Sequence, residues 1–316
     1  EEGSELKATV KLLSAQNMTA ATALIESMDE KAKLVSLNLE VAKYLRSKCA
    51  FTPAVRLLRA ASTLLSPREM WTIDRHEEAI DLFTTLAETE TSVCERDRCR
   101  IAVRTVMARA KGRKDKLRVY LADVDNFIAE DRYHDAMRTA ASYIRELGVG
   151  YPTRVSKLTL LSEICRTEFA MRGKSDDILR SLPRTMEDRL MKTVMVLLNS
   201  IVVCGFWVGD YDAIFVGGLR MLRNAVKHGL SPEGLFGFGM FALVECVFEK
   251  YESAKRYAKL AISLWDEIQC ESGSLACKFW IQILPFTTLW RPFPECLTDL
   301  KMAYDYGMED GDYHNA

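Results

Sequence analysis

Proline and glycine are scarce: eight prolines and sixteen glycines in 316 residues are too few breakers for a strand-and-turn fold. Long helices are favoured instead. Histidine is scarcer still. His76, His134, His228 and His314 each lie in a polar stretch, and no two are spaced for metal binding. His76-Glu77-Glu78 is not an HExxH, and no Ser–His–Asp order can be argued from spacing. Gly234, Gly237 and Gly239 match neither GxGxxG nor GxxxxGK[ST], and no strand precedes them. They read as small residues that let two helices approach closely. These gaps leave no catalytic residue, no cofactor site and no metal site to assign.

An excess of either charge is also missing. Forty-three basic residues meet 44 acidic ones, for a net charge of −1, so nothing in the balance points to nucleic acid or to an acidic membrane surface. The nine cysteines are odd in number and dispersed: Cys49, Cys94, Cys99, Cys165, Cys204, Cys246, Cys270, Cys277 and Cys296. They read as reduced, buried thiols of a reducing compartment. The close pairs Cys94/Cys99 and Cys270/Cys277 do not make a matched zinc set. The N-terminus, EEGSEL, is acidic, without the apolar run of a signal peptide. With no initiator Met and a C-terminus that trails off in EDGDYHNA, the chain reads as a fragment of a longer cytoplasmic protein.

What is present is helical periodicity. Hydrophobic residues make up 48% and charged residues 28%, the balance of a folded chain rather than a disordered one. Apolar residues fall at helical spacing over Leu6–Met28, with a turn expected at Asn17-Met18-Thr19, and over Asp29–Ser47. Thr52 and Pro53 predict a helix start, and Ser66-Pro67 predicts another. Further helices are expected over Asp74–Glu90, Val93–Lys111, Leu117–Ala129, Tyr133–Leu147 and Val155–Arg172. Gly148 is placed as a left-handed cap. Thr193–Gly209 is the most apolar run; its 17 residues sit at the lower limit for a membrane span and read as a helix buried between neighbours. Trp290-Arg291-Pro292-Phe293-Pro294 reads as a corner whose aromatics pack inward.

The aromatics Phe51, Tyr133, Tyr211, Tyr251 and Phe293 are separated by 82, 78, 40 and 42 residues. One unit of roughly 40 residues fits every interval, with skipped units near Thr91 and Arg172. YHDAMRTAASYI, YESAKRYAKLAISL and FTPAVRLLRAASTLL repeat an aromatic followed by small residues. Small residues at a crossing let antiparallel helices approach, and the flanking large ones bury against the next hairpin. The expected fold is therefore all-α: one right-handed superhelical array of antiparallel helix hairpins over residues 1–316, an α-solenoid with a concave face for a partner. The one charge-biased segment is Arg96–Arg118, in which Arg96, Arg100 and Arg104 share a helix face. With Arg109 they are the candidate partner-binding residues; a solvated helix face is the alternative.

LRVYLADVDNFIAEDRYHDAMRTAASYIRELGVGYP resembles a segment of multidomain ATPase–sensor kinases that ends in an A-x-x-x-G-L-x-x-L-x-x-L-G-V-x-L-P-type helix. ILRSLPRTMEDRLMKTVMVLL is similar to that family's L-P-x-M-T-D-P corner, and GFGMFALVECVFEKYESAKRYAKLAISL to its following repeat. The likeness runs in order from about Lys31 to the C-terminus. It departs where relatives tend to carry Gly and this chain has Ala140, Arg256 or Lys259. The resemblance implies a tetratricopeptide-like array placed between an AAA-type signal-transduction NTPase and a GAF and histidine kinase, or Ser/Thr kinase, output. No Walker A, H-box or DFG occurs, so it implies a regulatory, non-catalytic arm of a phosphorelay protein. Its partner would be another protein or an adjacent domain, with no nucleic acid and no membrane span. The alternatives are an inducer-sensing repeat domain of an ATP-dependent transcription regulator and a free-standing scaffold.

Overall fold

The computed structural model describes residues 2–184, 186–268 and 273–310. Cys270 and His314 lie outside them. The described residues form sixteen α-helices and one 3-10 turn, with no strand, so the fold is all-α. The chain divides into two compact units, Glu1–Asp131 and Arg132–Ala316.

In the first unit, α1 (Glu2–Ala20) runs unbroken through Asn17-Met18-Thr19, and the turn comes after it, at Thr22–Leu24. α2 (Met28–Ser47) and α3 (Phe51–Leu64) follow. Helix α3 begins at Phe51 behind Ala50, with no side-chain cap, so Thr52 does not cap it. Pro53 instead falls within the first turn, where its missing N–H costs nothing. Ser66 does cap α4 (Pro67–Met70), in a capping box closed by Glu69. α5 (His76–Ser92), α6 (Arg96–Arg109) and α7 (Arg113–Ile128) complete the unit. Helix α5 is central and packs against α2, α3, α6 and α7. Its core includes Leu58, Ala61, Leu82, Cys99 and Val106. A buried carboxylate is paired beside it: the half-buried Arg59 guanidinium forks onto the buried Glu90 at 2.7 and 2.5 Å.

The second unit contains α8 (Tyr133–Glu146), α9 (Lys157–Met171), α10 (Asp176–Arg180), α11 (Arg189–Val208), α12 (Tyr211–His228), α13 (Pro232–Val247), α14 (Tyr251–Ile268), α15 (Gly273–Thr287) and α16 (Phe293–Glu309). Helix α8 packs on α11 and α9 on α12, while α11/α12, α13/α14 and α15/α16 pack as consecutive pairs. α11 is long and apolar enough to cross a membrane, but Val194, Leu197, Leu198, Ile201 and Val202 are buried among its neighbours. At the α12–α13 crossing, a Cβ on Gly237 would stand 2.4 Å from the Leu222 nitrogen. Only glycine allows that approach. Phe293 is 62% exposed, so the Trp290–Pro294 corner does not turn that ring inward.

One turn recurs. At Cys49, Cys94, Gly209 and Glu249 the backbone is left-handed, with φ of 55°, 61°, 71° and 59°. The next amide donates five residues back: Ala50 to Leu45, Glu95 to Glu90, Asp210 to Gly205 and Lys250 to Glu245, at 2.8–2.9 Å. The N-caps Ala50, Glu95 and Asp210 share φ of −86° to −89° and ψ of 66° to 79°. Asp131, Gly148 and Gly173 are also left-handed. Phe51, Tyr133, Tyr211, Tyr251 and Phe293 are each the first residue of a helix.

The cysteines depart from expectation. Cys99, Cys204, Cys277 and Cys296 are buried free thiols, whereas Cys49, Cys94 and Cys165 are exposed and Cys246 is half-buried. Cys49 and Cys94 occupy the left-handed turns, which project their side chains outward.

Candidate partner-binding groove

Helix α6 has two faces. Cys99, Ala102, Val103 and Val106 enter the core. Ile101, Arg104, Thr105, Ala108 and Arg109 follow each other at spacings of three, one, three and one, so they line a single stripe. That stripe faces Ser62, Thr63 and Leu65 at the end of α3, the Ser66–Pro67 turn, Met70, Trp71 and Phe83 of α5. Together they enclose a groove of about 810 Å3.

The apolar wall is braced from behind. Trp71 stacks on Phe83, ring centroids 5.4 Å apart, and meets the edge of His76 at 6.0 Å. His76 is buried rather than solvated, and its Nε2 lies 3.1 Å from an Asp115 oxygen. Asp115 also accepts the Lys111 amide at 2.8 Å. Burial alone would raise the Asp115 carboxyl; the His76 ring and the Lys111 and Gly112 amides outweigh it and hold it below the usual range.

The four candidate arginines separate into two pairs. Arg96 donates to the carbonyl of Ala129, at the end of α7. Arg100 bonds Asp97 at 2.9 Å and reaches Glu130. These two close the α6–α7 end of the unit and are not free for a partner. Arg104 is exposed on the groove and pairs with no carboxylate among the described residues. Arg109 is also exposed, its guanidinium 5.9 Å from the Trp71 ring. No acidic residue lines the groove. Arg118, from the same basic segment, is spent on Asp81 at 2.6 Å and Glu88 at 2.9 Å.

Linear spacing could not supply Trp71, Phe83 and Ser66. Each is brought to α6 by α4 and α5, and the basic segment holds no aromatic of its own. The available signal was the interleaving of Ile101, Thr105 and Ala108 with Arg104.

The second unit has a cavity of about 950 Å3 between α9, α10, α13 and α14. Its carboxylates are paired: Glu168 and Glu245 with Lys250 at 2.8 and 3.2 Å, and Asp176 with Arg256 at 2.6 Å, while Arg256 also reaches the Lys174 carbonyl at 2.8 Å. Arg172 and Lys174 also line it, and neither forms an ion pair among the described residues. Among the described residues no three His, Cys, Asp or Glu side chains gather as metal ligands. Comparison with protein-family models gives no match for this chain, and comparison with curated proteins gives none.

Proposed function

We propose that this chain is a helical-hairpin repeat module that works by binding a protein partner or adjacent domain, and that it serves as the regulatory arm of a cytoplasmic signalling ATPase–kinase. The observation that carries the repeat reading is the left-handed turn. It falls at residues 49, 94, 131, 173, 209 and 249, 36 to 45 residues apart, with one further left-handed turn, at Gly148, inside the third of those intervals. A unit of that length is one helix pair, which must stack on neighbours to bury both faces. The aromatic at the start of five helices supports the same period.

The binding reading rests on the groove, where two arginines without carboxylate partners stand over an aromatic wall. The kinase-associated reading rests on the sequence resemblance, and a free-standing scaffold remains its rival. Purified chain is expected to hydrolyse no Mg-ATP and transfer no phosphate, while changing the ATP turnover of the rest of its parent protein when added to it. Turnover by the chain itself that a point substitution abolishes would overturn the proposal.

A further inference from the structure

The geometry points to an acidic amphipathic helix of a protein partner as the occupant of the α3–α6 groove, an inference that rests on reading the chain as a partner-binding module. Four observations carry it. First, the exposed stripe of α6 has the spacing with which one helix packs on another, and its members Thr105 and Ala108 are small enough for close approach. Second, Ile101 is 64% exposed although it sits beside the half-buried Trp71–Phe83 stack, so apolar surface awaits cover.

Third, Arg104 and Arg109 are the charged groups of the groove, and no carboxylate lines it. Elsewhere in the unit the comparable arginines are matched: Arg59 to Glu90, Arg100 to Glu130 and Arg118 to Glu88. The two groove arginines lie five residues apart along α6, about 7.5 Å of rise. Carboxylates one turn apart on a docked helix, about 5.4 Å, come within reach of both flexible side chains. Fourth, Ser62, Thr63 and Ser66 line the groove from the end of α3 and the following turn, their hydroxyls bonded to backbone groups of α3 and α4, so that side is polar and uncharged. An apolar centre with a polar rim is how an amphipathic helix is held in a groove.

The test uses the full chain and a synthetic fluorescent helix of about five turns. Its apolar face carries leucines and its flanks carry glutamates; a second peptide has every glutamate replaced by lysine. Anisotropy titration is expected to show the acidic peptide binding, weakening as salt screens the pairs, and the basic peptide binding at least roughly tenfold more weakly. The double variant R104E/R109E is expected to reverse that preference. R98E, on the exposed side of α6, should leave it unchanged. Both arginines are exposed, so the variant should keep its helical circular dichroism.

Failure of the acidic peptide to bind, equal binding of both peptides, or unchanged selectivity in R104E/R109E would overturn the inference. So would displacement of the acidic peptide by inorganic phosphate at equal concentration, which would mark an anion site. Any of these, with the chain still altering its parent's ATP turnover, sinks this inference alone. Loss of that effect sinks the broader reading.

Discussion

Glu163 shows how a charge is kept inside this protein. It is buried on α9, bonded by Arg220 at 2.5 and 3.1 Å and by Arg223, whose guanidinium also reaches the Thr167 hydroxyl at 2.7 Å. Burial would raise its carboxyl, but Arg223 and Arg220 outweigh it and hold the value below the ordinary 4.5. A depressed folded value means stability that is full above the unfolded value and lost as pH falls through the folded one. Glu163→Gln should cost about 3 kcal/mol near neutrality, because two half-buried arginines lose their buried counter-charge. Thermal melts should show wild type losing that advantage as pH drops below about 4.5. A variant that melts with wild type at neutral pH would contradict this account. Sequence could not assign Glu163: its partners lie 57 and 60 residues away. Arg96 and Arg100 escaped for the same reason, since their acceptors Ala129 and Glu130 follow a whole helix later.

At the scale of the element, the left-handed turn is the feature with the clearest cost. A side chain at positive φ strains the backbone by about 1–2 kcal/mol, and glycine removes most of that while adding unfolded-state entropy. Cys49, Cys94 and Glu249 are exposed, so glycine there loses little packing. Cys49→Gly, Cys94→Gly and Glu249→Gly should each stabilise by about 0.5–1 kcal/mol in urea unfolding. Destabilisation at all three would mean that the turn is not left-handed. The opposite sign is expected at Gly237, where even alanine meets the Leu222 backbone and should cost about 3 kcal/mol or slightly less. Helix existence was legible from apolar periodicity, and Gly148 as a left-handed cap was legible because glycine tolerates positive φ. Cys49, Cys94 and Glu249 carry no such mark, so three equivalent turns went unread. Thr52 misled because an N-cap residue and a residue in the first turn look alike without the preceding backbone.

For the whole molecule, the distribution of charge matters more than its sum. A net charge of −1 conceals the basic segment of α6 and α7, and within it the internally paired arginines conceal the two that are open. The all-helical class followed from scarce breakers and long periodic runs. The groove did not, because it needs α3, α4, α5 and α6 together. The central claim, that this surface works by holding a partner helix, is most directly tested by hydrogen exchange across the full chain with and without the acidic synthetic helix. Exchange should slow in α3, α4 and α6 and stay unchanged in α9 and α14. Unchanged exchange throughout, or protection confined to α9 and α14, would contradict it.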